Sequence, residues 1–205
     1  MKLAQRVQNE VRALLRIFGP GKIKEALWDR EFADGEWAFL DETSHDFVYT
    51  IIEKWACGGS ILDLGCGSGN TANELGPGAY KNYTGVDISS IAIERARARS
   101  ASSARSHKIH FVHSDVLTYV PAGEFDVILF RESIYYTATN KIRPLLLRYA
   151  KYLGKEGVFI VRIWNTKGRL RKIVDLLESH FEMIEKKASP TSSSLVMVFR
   201  TRRDC

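Results

Sequence analysis

The spacing of apolar residues changes along this chain, and the elements it predicts change with it. Near the start, Leu3, Val7, Val11, Leu14, Leu15 and Phe18 share one helical face. Gly19, Pro20 and Gly21 stop that helix. Lys2, Arg6, Arg12 and Arg16 occupy its other faces. The pattern favours a helix packed over a larger domain above one lying on a membrane surface. A second helix is expected over 44–56, where "TSH" offers caps to the apolar run "FVYTIIEKW".

From residue 59 the pattern becomes short apolar runs alternating with helical stretches. "SILDL", "YTGVD", "IHFVHSD", "FDVILF" and "GVFIVRIW" read as strands. Helices are expected over 70–75, from the serines of "SSIAIERARAR", over 142–153 and over 170–180. Continuous apolar strands imply burial on both faces, as in a parallel sheet between helices. The end differs. "FEMIEKKA" and "SLVMVFRT", joined by "SPTSS", predict an antiparallel hairpin with no helix between. The expected class is α/β: a doubly wound, mostly parallel seven-stranded sheet with a terminal hairpin and N-terminal helices. Residues 1–58 are expected to form a helical lid and 59–205 the main domain.

Composition narrows this little. A 205-residue chain fits one domain with a small appendage. The net charge of +6 permits anionic partners without requiring them. Cys57, Cys66 and Cys205 lack paired spacing, which fits free thiols in a reducing cytosol. His107, His110 and His113 have a metal-like spacing, but residues three apart on a strand face opposite ways, so no metal site is expected.

The chemistry concentrates at the strand ends, where open α/β sheets bind ligands. The first strand ends in Asp63 and runs into Gly65, Cys66, Gly67, Ser68 and Gly69. Glycines let backbone approach a ligand without Cβ clashes. Asp87 ends the second strand, Asp115 the third, and Arg131 and Glu132 follow the fourth. A dinucleotide is one candidate. Asn70 breaks a strict G-x-G-x-x-G, although Gly67, Gly69 and Ala72 satisfy the looser form. Electrostatics argue against it, because a pyrophosphate at this loop would face Asp63. A cationic ligand reverses that sign.

"LDLGCGSGN" resembles the first motif of the class I S-adenosylmethionine-dependent methyltransferases. "YTGVDIS", "FVHSDV", "FDVILFRESIYY" and "YLGKEGVFIVRIW" are similar to the segments that follow it there, in order, and the Rossmann-like sheet is the fold that family has. The resemblance implies S-adenosylmethionine as cofactor and S-adenosylhomocysteine as product. It implies that the 65–69 loop passes under the methionine and ribose, with Asp63 near the methionine ammonium. Asp87 would hold the ribose diol, with Ser89 beside it and Ile88 on the adenine. Asp115 and the Val116 amide would meet the adenine edge, and Arg131 or Glu132 would lie beside the transferring methyl.

The acceptor is less defined. "RESIYY" stands where amino-methylating relatives carry N-P-P-Y, which favours a small-molecule acceptor methylated on O or N. Glu132 is the candidate base, with Tyr135, Tyr136 and His45 weaker. Trp37, Tyr136 and Arg162 are candidate acceptor contacts, and Trp37 with Phe39 suggests a lid. Arg131 and Arg162 together suggest a carboxylate or phosphate on the acceptor, unless an acid such as Glu132 pairs with them. Two rivals stand: an RNA methyltransferase, drawing on the arginines of "ERARARSASSARSHK" and the tail "RTRRDC", and a non-enzymatic cofactor-binding protein.

Overall fold

The computed structural model describes residues 2–38 and 46–202. Its centre is a seven-stranded sheet in the order β3-β2-β1-β4-β5-β7-β6. The strands are β1 Ser60–Leu64, β2 Asn82–Asp87, β3 Ile109–His113, β4 Phe125–Arg131, β5 Leu153–Ile163, β6 Phe181–Ala188 and β7 Leu195–Thr201. The first five run parallel, and β7 enters antiparallel between β5 and β6. All five β1 residues are buried, as a strand covered on both faces requires. The chain reverses direction across the sheet between β1 and β4, which opens a crevice at their carboxyl ends.

The helices are α1 Lys2–Phe18, α2 Gly21–Ala33, α3 Val48–Ala56, α4 Asn70–Glu74, α5 Ser90–Ala101, α6 Thr139–Ala150 and α7 Arg169–His180. Two boundaries move from expectation. The helix before β5 begins at Thr139 and ends at Ala150, because Leu153 already starts the strand. The described part of the second expected helix starts at Val48, with Asp46 Oδ1 accepting from the Val48 amide at 3.1 Å. Ser44, His45, Phe39 and Cys205 lie outside the described residues.

The N-terminal region departs furthest from expectation. The sequence pattern did not point to α2, and α1 is turned the other way. Val7, Val11, Leu14 and Phe18, expected to pack inward, are 48–65% exposed. The inward contact is polar. Arg16 pairs with Glu31 of α2, itself 2% exposed, and stacks over Trp28 at 5.4 Å. A buried carboxylate needs a cation, and that need sets the rotation of α1. Meanwhile α3 joins the sheet's core, with Val48 and Ile52 fully buried. The part lying over the strand ends is therefore α1, α2 and the turn to Ala38. No helix among the described residues is long and apolar enough to cross a membrane.

Candidate active site

The glycine loop after β1 forms the floor of the crevice. Its three glycines have positive φ: 84°, 52° and 76°. They differ in what a Cβ would meet. At Gly65 it would strike Ser133 Cβ at 2.4 Å, and at Gly69 it would strike Ala96 Cβ and Phe111 Cζ, each at 2.8 Å. At Gly67 only Phe32 is near, at 3.6 Å across the crevice. Gly65 thus admits the segment after β4, and Gly69 admits the packing of α4 on α5 and β3. Gly67 keeps the crevice open. Gly69, expected at the ligand, belongs instead to the core.

Two connected hollows lie here. The larger, of about 820 Å³ including solvent at its mouth, is lined by Gly65, Gly67, Asp87, Ile88, Asp115 and Val116 on the sheet side. Lys24, Trp28, Phe32 and Trp37 close it from above, with Tyr136 and Thr137 at the side. The smaller, of about 420 Å³, is lined by Asp63, Gly65, Cys66, Gly67, Ser68, Arg131 and Glu132, with Phe32 between the two.

The carboxylates of the floor are held by their own backbone. Asp87 Oδ2 accepts from the Gly67 amide and Oδ1 from the Ser89 amide, both at 2.9 Å. Burial raises its pKa, with those amides opposing. Asp115 Oδ1 accepts from the Leu117 amide at 2.8 Å. Asp63 is 1% exposed. Its Oδ2 accepts from the Tyr83 hydroxyl, while Oδ1 is buried without a hydrogen-bond partner. Burial pushes its carboxyl up to about 6, with Tyr83, Arg131 and Thr71 pulling it back. Burial also raises the Cys66 thiol well above its ordinary range, which disfavours the nucleophilic thiolate.

Several expected ligand contacts serve other ends. Ser89 is fully buried; its hydroxyl accepts from the Ala92 amide, capping α5, and donates to Asp29 of α2 at 2.7 Å. Asp29 also accepts from the Ser90 hydroxyl and the Ile91 amide, which docks α2 on the start of α5. Arg131 and Arg162 are register partners on β4 and β5, so two cations sit side by side. Asp46 answers both, at 3.6 Å from Arg131 and 2.9 Å from Arg162, and Glu132 pairs with Arg162. Glu132 also accepts from the Tyr135 hydroxyl at 2.7 Å and the Trp164 amide at 3.1 Å. Those donors hold it at φ 59°, a strained conformation for a non-glycine. Both carboxylate oxygens of Glu132 are thus engaged within the protein. Tyr135 is 8% exposed, burial drives its hydroxyl pKa upward, and neither it nor Arg162 lines either hollow. Trp37 and Tyr136 do line the larger one.

Sequence reasoning missed Lys24, Trp28, Asp29, Glu31 and Phe32 on α2, and Asp46. Trp28 packs against Trp37 at 5.5 Å and edge-on to Tyr136 at 4.7 Å, making an aromatic wall. Glu31 anchors it by accepting from Trp37 Nε1 at 3.1 Å. Pro20 at the N-cap, followed by helix formers, was the available signal for α2. Among the described residues no group of three or more His, Cys, Asp or Glu is placed to hold a metal ion.

A parallel sheet with its hairpin edge and a glycine loop between buried aspartates defines a class, and comparison agrees with it. Residues 61–157 match a family described as "Methyltransferase domain". Through that region, just under half of its length, the chain is similar to methyltransferase domains. The 27-O-demethylrifamycin SV methyltransferase of Amycolatopsis mediterranei is 25% identical over 55% of this chain and 44% of its own length. The mRNA cap guanine-N(7) methyltransferase of Schizosaccharomyces pombe is 26% identical over 66% and 39%. The chain thus spans less than half the length of these curated relatives. The 1,6-didemethyltoxoflavin-N1-methyltransferase of Burkholderia thailandensis, solved with its substrate and S-adenosylhomocysteine, superposes with a TM-score of 0.72 at 18% identity. That match covers 95% of this chain and 90% of the other, a likeness of fold.

Proposed function

We propose that this protein binds S-adenosylmethionine and transfers its methyl group to an oxygen or nitrogen of a small-molecule acceptor in the cytoplasm. The observation that carries the reading is the buried, unpartnered Asp63 Oδ1 in the smaller hollow, beside Arg131. That pair suits the ammonium and carboxylate of an amino-acid tail and opposes a pyrophosphate. The nucleoside would lie on Gly67, with its diol on Asp87 and its base between Ile88, Asp115 and Val116. When bound, the sulfonium supplies a methyl already activated for in-line displacement. The chain's part is to position the acceptor and exclude water. The cap of residues 2–38 supplies that cover. With Glu132 and Tyr135 locked to each other, a general base from these two is not part of the proposal.

The RNA reading draws less support. Arg97 donates to the Phe111 carbonyl, and Arg105 to the carbonyls of Leu75, Gly76 and Asn73. These arginines brace the fold. Calorimetry tests the proposal: S-adenosylhomocysteine should bind in the micromolar range and NAD should not. Asp87→Ala should weaken that binding by about 1.5–3 kcal/mol. Binding of NAD without S-adenosylhomocysteine would refute it, and an unchanged affinity in the variant would remove Asp87 from the site.

A further inference from the structure

The pairing of Arg131 and Arg162 removes the basis on which they suggested an anionic acceptor. A different cation faces the cleft. Lys24 is 8% exposed and lines the larger hollow. Among the described residues its ammonium has neither a hydrogen bond nor an ion pair. The stem of this side chain is buried against the cap while its ammonium is left for the hollow, where an anion of a bound ligand would complement it.

The other charges near it are committed. Glu31, on the same side of α2, is held by Arg16 and Trp37. Asp87 takes backbone amides on both oxygens, and Asp115 takes one on Oδ1 while its Oδ2 faces the start of α2 near Gly21; both lie where the nucleoside is placed. Arg16 lines the cleft as well, but its charge is matched by Glu31. A protonated amine would meet the Lys24 ammonium there. The rest of the wall is flat and apolar, made by Trp28, Trp37 and Tyr136, and suits a ring more than a flexible chain.

We propose that Lys24 is the anion-recognising residue of the acceptor site, and that the acceptor is a planar aromatic acid. Its ring packs on Trp28, Trp37 and Tyr136, and its carboxylate meets the Lys24 ammonium. The inference rests on the methyl-transfer reading above and narrows its acceptor. The geometry separates the two anions such a complex holds. The amino-acid tail of the cofactor goes to Arg131 and Asp63 in the smaller hollow, and the acceptor carboxylate goes to Lys24 in the larger one.

The test uses the full chain saturated with S-adenosylhomocysteine, and titrates benzoate, salicylate and 2-naphthoate against their neutral primary amides. Quenching of indole fluorescence, checked by calorimetry, reports binding. A charge-assisted contact predicts that at least one acid binds about tenfold or more tighter than its amide. Lys24→Met should erase that preference while leaving the amide and S-adenosylhomocysteine affinities within about twofold, and Lys24→Arg should keep most of it. Should Lys24→Met misfold, Lys24→Gln takes its place. Equal binding of acids and amides by the wild type, or no binding of either, would overturn the proposal. So would a Lys24→Met protein that loses S-adenosylhomocysteine affinity, since the ammonium would then belong to the nucleoside site. Failure of the wild type to bind S-adenosylhomocysteine would refute the methyl-transfer reading instead, and the acid–amide comparison would then be made on the ligand-free chain.

Discussion

The floor and the cap of the cleft hold their charges by different means. On the floor, Asp87 and Asp115 sit at strand ends and accept from amides within a few residues or from the adjoining loop. Those amides are fixed by the sheet, so the carboxylates are placed before any ligand arrives. The cap is held together by side chains, Arg16 and Trp37 to Glu31, and is tied to the domain by Asp29 to Ser89 and Ser90 and by Glu25 to His113. Such contacts order long side chains at an entropic cost and can be undone without disturbing a strand. The floor is thus preorganised, and the cap is the part we predict to open.

Removing the cap is the hardest test of that contrast. Deletion of residues 1–38 should leave a domain that still unfolds cooperatively, because the sheet and α3 keep their core. Loss of the aromatic contacts should weaken S-adenosylhomocysteine binding by about 3 kcal/mol, roughly a hundredfold by calorimetry. A truncated domain that binds as well as the full chain would show that the cap is no part of the site.

A smaller effect separates the glycines of the floor. Gly67→Val puts bulk beside Phe32 at a φ that costs L-residues ~1–2 kcal/mol, so S-adenosylhomocysteine affinity should fall at least about tenfold. Gly69→Ala forces a Cβ against Ala96 and Phe111. It should lower thermal stability by ~1–3 kcal/mol and leave the affinity of the folded protein nearly unchanged. If the two variants behave alike, the assignment of Gly67 to the cleft and Gly69 to the core is mistaken.

The smallest effect is a pH dependence confined to the floor. The Asp63 carboxyl of the ligand-free protein is raised to about 6. An ammonium beside Oδ1 favours its ionised form, so binding expels a proton below that pH. S-adenosylhomocysteine affinity should rise about tenfold from pH 5 to 7 and then level. Asp63→Asn should flatten this slope. For folding the sign is opposite: the ionised carboxylate opposes the folded state above pH 6, and that cost disappears below its ordinary 3.8. A slope that survives in Asp63→Asn would assign the titration to another group.

The same contrast explains what the sequence disclosed. Strands buried on both faces write themselves as apolar runs, and "SILDL" or "FDVILF" need no distant information. The glycine spacing likewise marked the loop, although spacing cannot say which way each missing Cβ points. The cap was obscured because its inward face is polar. Lys24 and Glu31 are buried on α2, and Arg16 is the inward anchor of α1, so a search for an apolar face misses α2 and turns α1 the wrong way. Ser89 was legible as the start of a helix. Its bond to Asp29 joins residues sixty positions apart and leaves no local trace.

Asp29 also makes one mechanical unit of two segments remote in sequence. Burial opposes its charge, but hydrogen bonds from Ser89, Ile91 and Ser90 outweigh that and hold its pKa below the ordinary carboxylate value. The first turn of α5 therefore draws part of its N-terminal satisfaction from the cap. When the cap lifts, the Ile91 amide loses its acceptor at the same instant, and the start of α5 frays. Cap opening would then be recorded as faster amide exchange at a helix end that touches no ligand, which gives the motion a local reporter independent of any substrate.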